Sequence, residues 1–212
     1  MADNYIENKF EEYNSKKKVV YKSAGHSLDQ LLKANRSYRG YDHAYKVSES
    51  TLEKIVAVNP LLPSAKNQQA LRFKLVTEET GADKVLENIK LGGMLPELHL
   101  PFPGTEPKAF IIVCSTVSES KMLHVDVGIA AQSMLLKAVE LGYNGIIIGA
   151  FNAKKIEEEF ALPYPPVLIL AIGKGGENIQ LKEISSDESH AYYRENGTHF
   201  VPKVRWKELI IE

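Results

Sequence analysis

Apolar positions recur along this chain with two periods, and their succession lays out most of its elements. Ile6, Phe10 and Tyr13 fall at helical spacing behind Asp3, which predicts a first helix with one narrow apolar face. Ser27 and Gln30 form a capping box ahead of Leu28, Leu31 and Leu32, so a short helix should end near Asn35. Ser48 opens another carrying Leu52, Ile55 and Val56, and Pro60 with Pro63 stops it. Phe73, Leu75 and Val76 predict a strand, residues 81–89 a short helix, and residues 91–107, rich in Gly and Pro, a connection suited to a lid. The unbroken apolar run 109–114 is the pattern of a strand covered on both faces, which calls for helices on both sides of a sheet. The longest helix should occupy residues 119–141, with Val127, Ala130, Ala131, Met134, Leu135, Ala138 and Leu141 at helical spacing and Gly142 as its stop. A strand over 145–148, a helix with Ile156 and Phe160, and a strand over 167–172 close the core. Beyond Gly173 the chain is polar and irregular until Phe200, where residues 200–206 read as an extended arm.

Composition narrows the class. A chain of 212 residues suits one domain with a sizeable core. Its single cysteine, Cys114, excludes an internal disulfide framework and a thiolate metal site, and points to a reducing compartment, the cytoplasm. The N-terminus has no apolar targeting segment, and no later run reads as long enough to span a bilayer. With 26 basic and 27 acidic residues, no broad nucleic-acid footprint is expected, and Lys16, Lys17 and Lys18 read as the solvated end of the first helix.

Two polar clusters carry candidate chemistry. Arg36, Ser37, Tyr38 and Arg39 leave a helix just before Gly40; guanidinium forks, a hydroxyl and free backbone N–H groups make an anion cradle. Lys203 and Arg205, two apart in an extended segment, add cations on one side. The second cluster, Pro63, Ser64, Ala65, Lys66, Asn67, Gln68 and Gln69, offers amides with donor and acceptor together, suited to the mixed edge of a flavin or nucleobase. Other constellations fail. His124 and Asp126, two apart on a helix, face different ways and lack a third ligand, so no metal is expected. Gly173, Lys174, Gly175 and Gly176 lack Walker spacing, Ser64 is not in a nucleophile elbow, and Cys114 belongs to the core.

Taken in order, these clusters resemble the FMN-dependent nitroreductase family in its short form. Arg36 to Arg39 and Pro63 to Gln69, leading to Phe73, are similar to its two N-terminal motifs. Asp126, Gly128, Ala131, Gln132, Leu136 and Gly142 resemble its central helix, Gly149 and Phe151 the strand and turn that follow, and Val201, Pro202, Lys203 and Arg205 its closing basic motif. The resemblance implies an α+β fold: a three-layer α/β/α sandwich whose mixed, mainly antiparallel sheet is completed by the partner subunit's C-terminal arm. It divides the chain into an extension (1–26), an FMN-binding core (27–173) and an exchanged arm (174–212).

By position, the resemblance also implies that Arg36, Ser37, Lys203 and Arg205 hold the FMN phosphate and that Arg39 reaches the ribityl and pyrimidine side. Pro63, Ser64, Ala65 and Asn67 would meet the ring from the other subunit, with Ile148 and Gly149 beside N5. No side chain is implied as an acid or base. Hydride from NADH or NADPH would pass through FMN to a nitroaromatic, quinone or similar small-molecule acceptor, in a cytoplasmic homodimer with flavin sites at the subunit interface. A non-catalytic flavin-binding protein, and a same-fold enzyme of dehalogenase or flavin-breakdown chemistry, are the alternatives. Two departures stand out: Asn35 where many relatives have a basic residue, and a short 91–107 connection that implies an open pocket.

Overall fold

The computed structural model describes residues 25–211, so the helix expected around Ile6, Phe10 and Tyr13, with the lysines after it, lies outside the described residues. Five α-helices are described: α1 (Leu28–Ala34), α2 (Glu49–Val56), α3 (Ala82–Leu86), α4 (Lys121–Glu140) and α5 (Ala153–Glu159). Four strands, β1 (Leu71–Val76), β2 (Ala109–Ser115), β3 (Asn144–Ile148) and β4 (Pro166–Gly173), form one sheet in the order β1-β2-β4-β3, antiparallel throughout.

Local chemistry explains most boundaries. Ser27 and Gln30 make the capping box of α1, and the Ser48 and Ser120 hydroxyls accept the backbone N–H groups of Thr51 and Leu123 at the starts of α2 and α4. Gly142 closes the last turn of α4 with φ at 84°, a conformation that costs glycine little. Residues 81–89 hold a shorter helix than their pattern suggests, since α3 ends at Leu86 with Glu87 as its cap; Gly81 at φ 115° separates it from a preceding 3-10 turn, Glu78–Thr80, closed reciprocally by Thr77 and Thr80.

Every residue of β2 is buried, as expected of a central strand covered on both faces. One cluster joins Leu52, Ile55, Ile111, Val113, Met134, Leu135 and Leu170 beneath α2 and α4; the other joins Val76, Val85, Phe110, Ile112, Ile148, Ile156 and Ile169 beneath α3 and α5. The result is the expected α/β/α sandwich. By length and composition α4 would qualify as a membrane span, contrary to the sequence expectation. One face of it belongs to the core, where Leu123, Val127, Ala130, Ala131, Met134, Leu135 and Ala138 are buried, while Met122 and Val125 are exposed.

The stretch beyond Gly173 departs most from its reading. It is a second sheet of β5 (Asn178–Ile184), β6 (Tyr193–Glu195) and β7 (Thr198–Val204), with β7 in the middle, parallel to β5 and antiparallel to β6. Strands this thin carry a weak apolar signal because only one face is covered; Ile184 and His199 are their buried residues. The residues leading into this sheet, 174–176, are tied back to residues 40–42 of the same chain. Asp42 N–H donates to the Lys174 carbonyl (2.8 Å), Gly176 N–H donates to the Gly40 carbonyl (3.0 Å), and Tyr41 bridges Gly175.

Candidate functional site

The Arg36–Tyr38 segment reaches the site because β3 lets it come close. Ser37 forms a parallel bridge with Gly145, and Tyr38 N–H donates to the Gly145 carbonyl at 3.2 Å. A Cβ at Gly145 would stand 2.6 Å from both the Ala171 carbonyl oxygen and a Leu135 methyl, so only glycine fits between α4 and β4. On the other side, the Tyr38 ring lies where a Cβ on Gly175 would be, at 2.3 Å.

These contacts enclose a cavity of about 280 Å³ walled by Arg36, Ser37, Arg39, Gln132, Ile147, Tyr192, His199 and Lys203, among others. Its walls hold three cations and no carboxylate. Arg36 donates one Nη2 bond to the Leu32 carbonyl (2.6 Å) and Arg39 one Nη1 bond to the Ser37 carbonyl (3.0 Å), while the Nε of each is buried without an acceptor. Burial lowers the Arg36 guanidinium from its ordinary value, the sign of a cation short of solvent and counter-charge. Arg39, nearly buried, lies with its guanidinium 4.9 Å from the Tyr192 ring centroid. Burial, with Arg39 and Arg194 nearby, pushes His199 below its ordinary value. Asn35, standing where a basic residue was expected, uses its Nδ2 on the Gln132 Oε1 at 3.3 Å.

The second cluster borders a different cavity. About 480 Å³ in volume and mainly apolar, it is lined by Pro63, Ser64, Leu71, Phe73, Asp126 and Ile129, among others, along the edge strand β1. The two cavities share no residue, but one helix walls both: α4 gives Asp126, Ile129 and Ala130 to the larger and Gln132 and Leu135 to the smaller. Buried Asp126 accepts the Ala65 N–H with both oxygens, at 2.9 and 3.2 Å. Lys66, Asn67 and Gln69 all adopt positive φ, at 54°, 52° and 47°. Three non-glycine residues in that region within four positions mark a loop held in place by its surroundings. Two of its amides pair with each other, the Gln69 Nε2 donating to the Asn67 Oδ1 at 3.1 Å.

Of the residues expected to act together, Arg36, Ser37, Arg39 and Lys203 do meet, while Pro63, Ser64, Ala65 and Asn67 sit across α4. Arg205 is not brought in. Val201 and Lys203 line the cavity at strand spacing, but β7 ends at Val204 and the chain turns into Trp206–Leu209, leaving Arg205 beside Glu183 (3.6 Å) and Glu208 (3.5 Å). Ile148 turns its side chain into the core, and Ile147 faces the cavity; Gly149 follows, exposed, with no atom within 4 Å of where a Cβ would be. Alternation along β3 would have found Ile147, and no signal in the sequence would have found Tyr192, His199 or the Asp126 contact. His124 pairs with Glu119 at 2.8 Å, and no cluster suited to a metal occurs among the described residues.

The comparisons agree on one family. The nitroreductase family model matches residues 32–174. The Bacillus subtilis (strain 168) protein "Putative NAD(P)H nitroreductase YdgI" is 25% identical over 201 residues, covering 78% of this chain and 91% of that one. A nitroreductase family protein from Clostridium difficile 630 is 26% identical and superposes with a TM-score of 0.57, covering 72% of this chain and 86% of its own. A protein of Exiguobacterium sibiricum 255-15, whose structure is in complex with FMN, shares the fold at 22% identity and a TM-score of 0.58, with 72% and 90% covered. With the family model spanning well over half of the sequence and the layered sheet built as in these structures, the chain belongs to the nitroreductase family.

Proposed function

We propose that this protein is an FMN-dependent oxidoreductase that takes reducing equivalents from NADH or NADPH and passes them to a nitroaromatic, quinone or similar small acceptor. The observation that carries this is the cavity of three cations without a carboxylate, set beside the end of β3. Phosphate suits it: Arg36 and Lys203 supply charge, the Ser37 hydroxyl a donor, and two buried guanidinium nitrogens lack an acceptor. FMN held there by Arg36, Ser37 and Lys203 would supply the hydride-transfer chemistry.

The residues of the chain then have distinct tasks. Arg39, which lines the same cavity, would stand on the pyrimidine side, where a cation would favour the reduced, more negative cofactor. Gly149, with no atom within 4 Å of where a Cβ would be, would leave space for the ring, and a backbone donor at N5 would need no particular side chain. Arg205 joins the phosphate ligands only by leaving Glu183 and Glu208. No side chain needs to carry a proton for hydride transfer itself.

We further propose a cytoplasmic homodimer in which Pro63, Ser64, Ala65 and Asn67 reach the flavin bound by the other subunit. The separation of the two cavities across α4 supports this, since one chain does not bring the loop to its own cations. Exposed Trp206, Leu209, Ile210 and Ile211 are suited to the partner's apolar groove along β1, an edge strand of its sheet. Within the 174–212 arm, the end beyond β7 therefore has the most apolar surface to offer a partner.

Anaerobic mixing of the flavin-loaded protein with NADH or NADPH tests the reading. Flavin absorbance should bleach and return when a quinone or nitroaromatic is added. Persistent absorbance with both nicotinamides would favour a flavin carrier or sensor, and dehalogenated or ring-opened products would place the chemistry elsewhere.

A further inference from the structure

Behind the cation cavity lies a buried pair that the flavin reading does not use. Glu177, in the turn before β5, directs one carboxylate oxygen at the backbone N–H groups of Arg39 and Gly40, the latter at 3.0 Å, and the other at the Arg194 guanidinium on β6. The side chains of Glu177 and Arg194 are only 10% and 22% exposed, so water screens this pair weakly. Arg194 also stacks on Phe102, 5.6 Å from the ring centroid, which fixes it from the side of the 91–107 connection. All of Glu177's bonds go to backbone and to Arg194. The guanidinium of Arg39, whose backbone Glu177 holds, has no carboxylate partner and lies against Tyr192.

We propose that Glu177 and Arg194 are positioning residues that set the charge of the cofactor site: Glu177 holds the Arg39–Gly40 backbone, and Arg194 keeps that carboxylate from neutralising the Arg39 guanidinium. This rests on the FMN reading of the cavity. A buried carboxylate beside a loop of cations is a liability for an anion site unless a further cation occupies it. Arg194 is that cation, and its planar fork with a fixed stacking partner suits it to hold one geometry. The terminal sheet thereby does more than carry Lys203. It brings in a charge that does not touch the cofactor and leaves Arg39 available to it.

The pair predicts effects of opposite sign. In Arg194→Met the Glu177 charge is uncompensated, so reduced flavin, the more negative form, is disfavoured relative to oxidised flavin. In Glu177→Gln the amide oxygen still accepts the backbone N–H groups while Arg194 adds a net positive charge, and reduced flavin is favoured. At an effective dielectric of about 20, each change should alter the reduced-to-oxidised affinity ratio on the order of tenfold. For a two-electron couple tenfold is about 30 mV. Arg194→Lys keeps the charge and should hold the potential near that of the wild type.

The experiment is a redox titration of bound FMN, with the FMN dissociation constant measured alongside, on wild type, Glu177→Gln, Arg194→Met, Arg194→Lys and the double variant Glu177→Gln/Arg194→Met. The expected result is a raised potential in the first variant, a lowered one in the second, and values near wild type in the other two. Should Arg194→Met not fold, the double variant, which buries no lone charge, and Glu177→Gln still decide the matter. If the wild type binds FMN and the potentials stay put or move together while thermal stability falls, the pair is structural and this inference alone is overturned. If the wild type takes up no added FMN, the flavin reading falls and this inference falls with it.

Discussion

Arg36 and Lys203 approach one cavity from segments far apart in the chain, and each offers a charged donor there. A charge-assisted hydrogen bond contributes about 1.5–3 kcal/mol, so Arg36→Ala or Lys203→Ala should weaken FMN binding roughly 10- to 100-fold. Arg205→Ala should weaken it much less, since Arg205 is half exposed and paired with Glu183 and Glu208. Fluorescence titration of apoprotein with FMN measures all three, and equal losses for Lys203 and Arg205 would mean that both cations reach the phosphate. His199 adds a pH dependence of known sign. Its folded-state pKa is depressed below the ordinary 6.5 by burial and by Arg39 and Arg194, so the unfolded chain binds the proton more readily. Its contribution to stability is intact above pH 6.5, falls as pH drops below it, and levels off below the folded value. Urea denaturation of wild type and His199→Gln across that window should show a shallower pH dependence in the variant. Parallel curves would assign the effect to other groups.

Among the elements, those with two-sided or strongly periodic burial were legible in the sequence and those with one thin apolar face were not. The run 109–114 reads as a strand covered on both faces, and the α4 stripe, Val127 to Ala138, as a helix with a long packed face. The cation cluster after α1 and the loop after Pro63 were visible because Arg, Ser and amides there serve no packing purpose. What sequence pattern could not show was the terminal sheet, where polar residues alternate with half-buried ones and the parallel pairing of β5 with β7 crosses 20 positions, as from Asn178 to Thr198. The pairing of Arg205 with Glu183 and Glu208 was hidden for a related reason: strand spacing carries a residue to one face only as far as the strand runs. Gly145 shows how tightly the site depends on its elements. Gly145→Ala puts a methyl against the Ala171 carbonyl and Leu135 and should cost about 1–3 kcal/mol, an overpacking penalty, and loosen FMN as β3 shifts from Ser37. Thermal unfolding with and without FMN would show both losses. An unchanged melting temperature would mean that the neighbours yield freely.

At the scale of the whole molecule, two cavities on either side of α4 and the exposed apolar residues Trp206, Leu209, Ile210 and Ile211 are the features the proposed dimer would bring together. Deleting residues 206–212 should expose the β1 groove while leaving Lys203 in place, so dimers should dissociate or aggregate and the Pro63 loop should lose its flavin contact. Sedimentation followed at protein and flavin wavelengths gives the outcome; a soluble, flavin-loaded monomer would show that each site is built from one chain. The account as a whole turns on what occupies the cation cavity. Its most direct test is to purify the protein with added FMN and FAD, record the visible spectrum, then denature it and identify the released cofactor chromatographically. Oxidised-flavin bands and release of FMN in proportion to protein are predicted, whereas a colourless protein, or release of FAD as the dominant species, would contradict it.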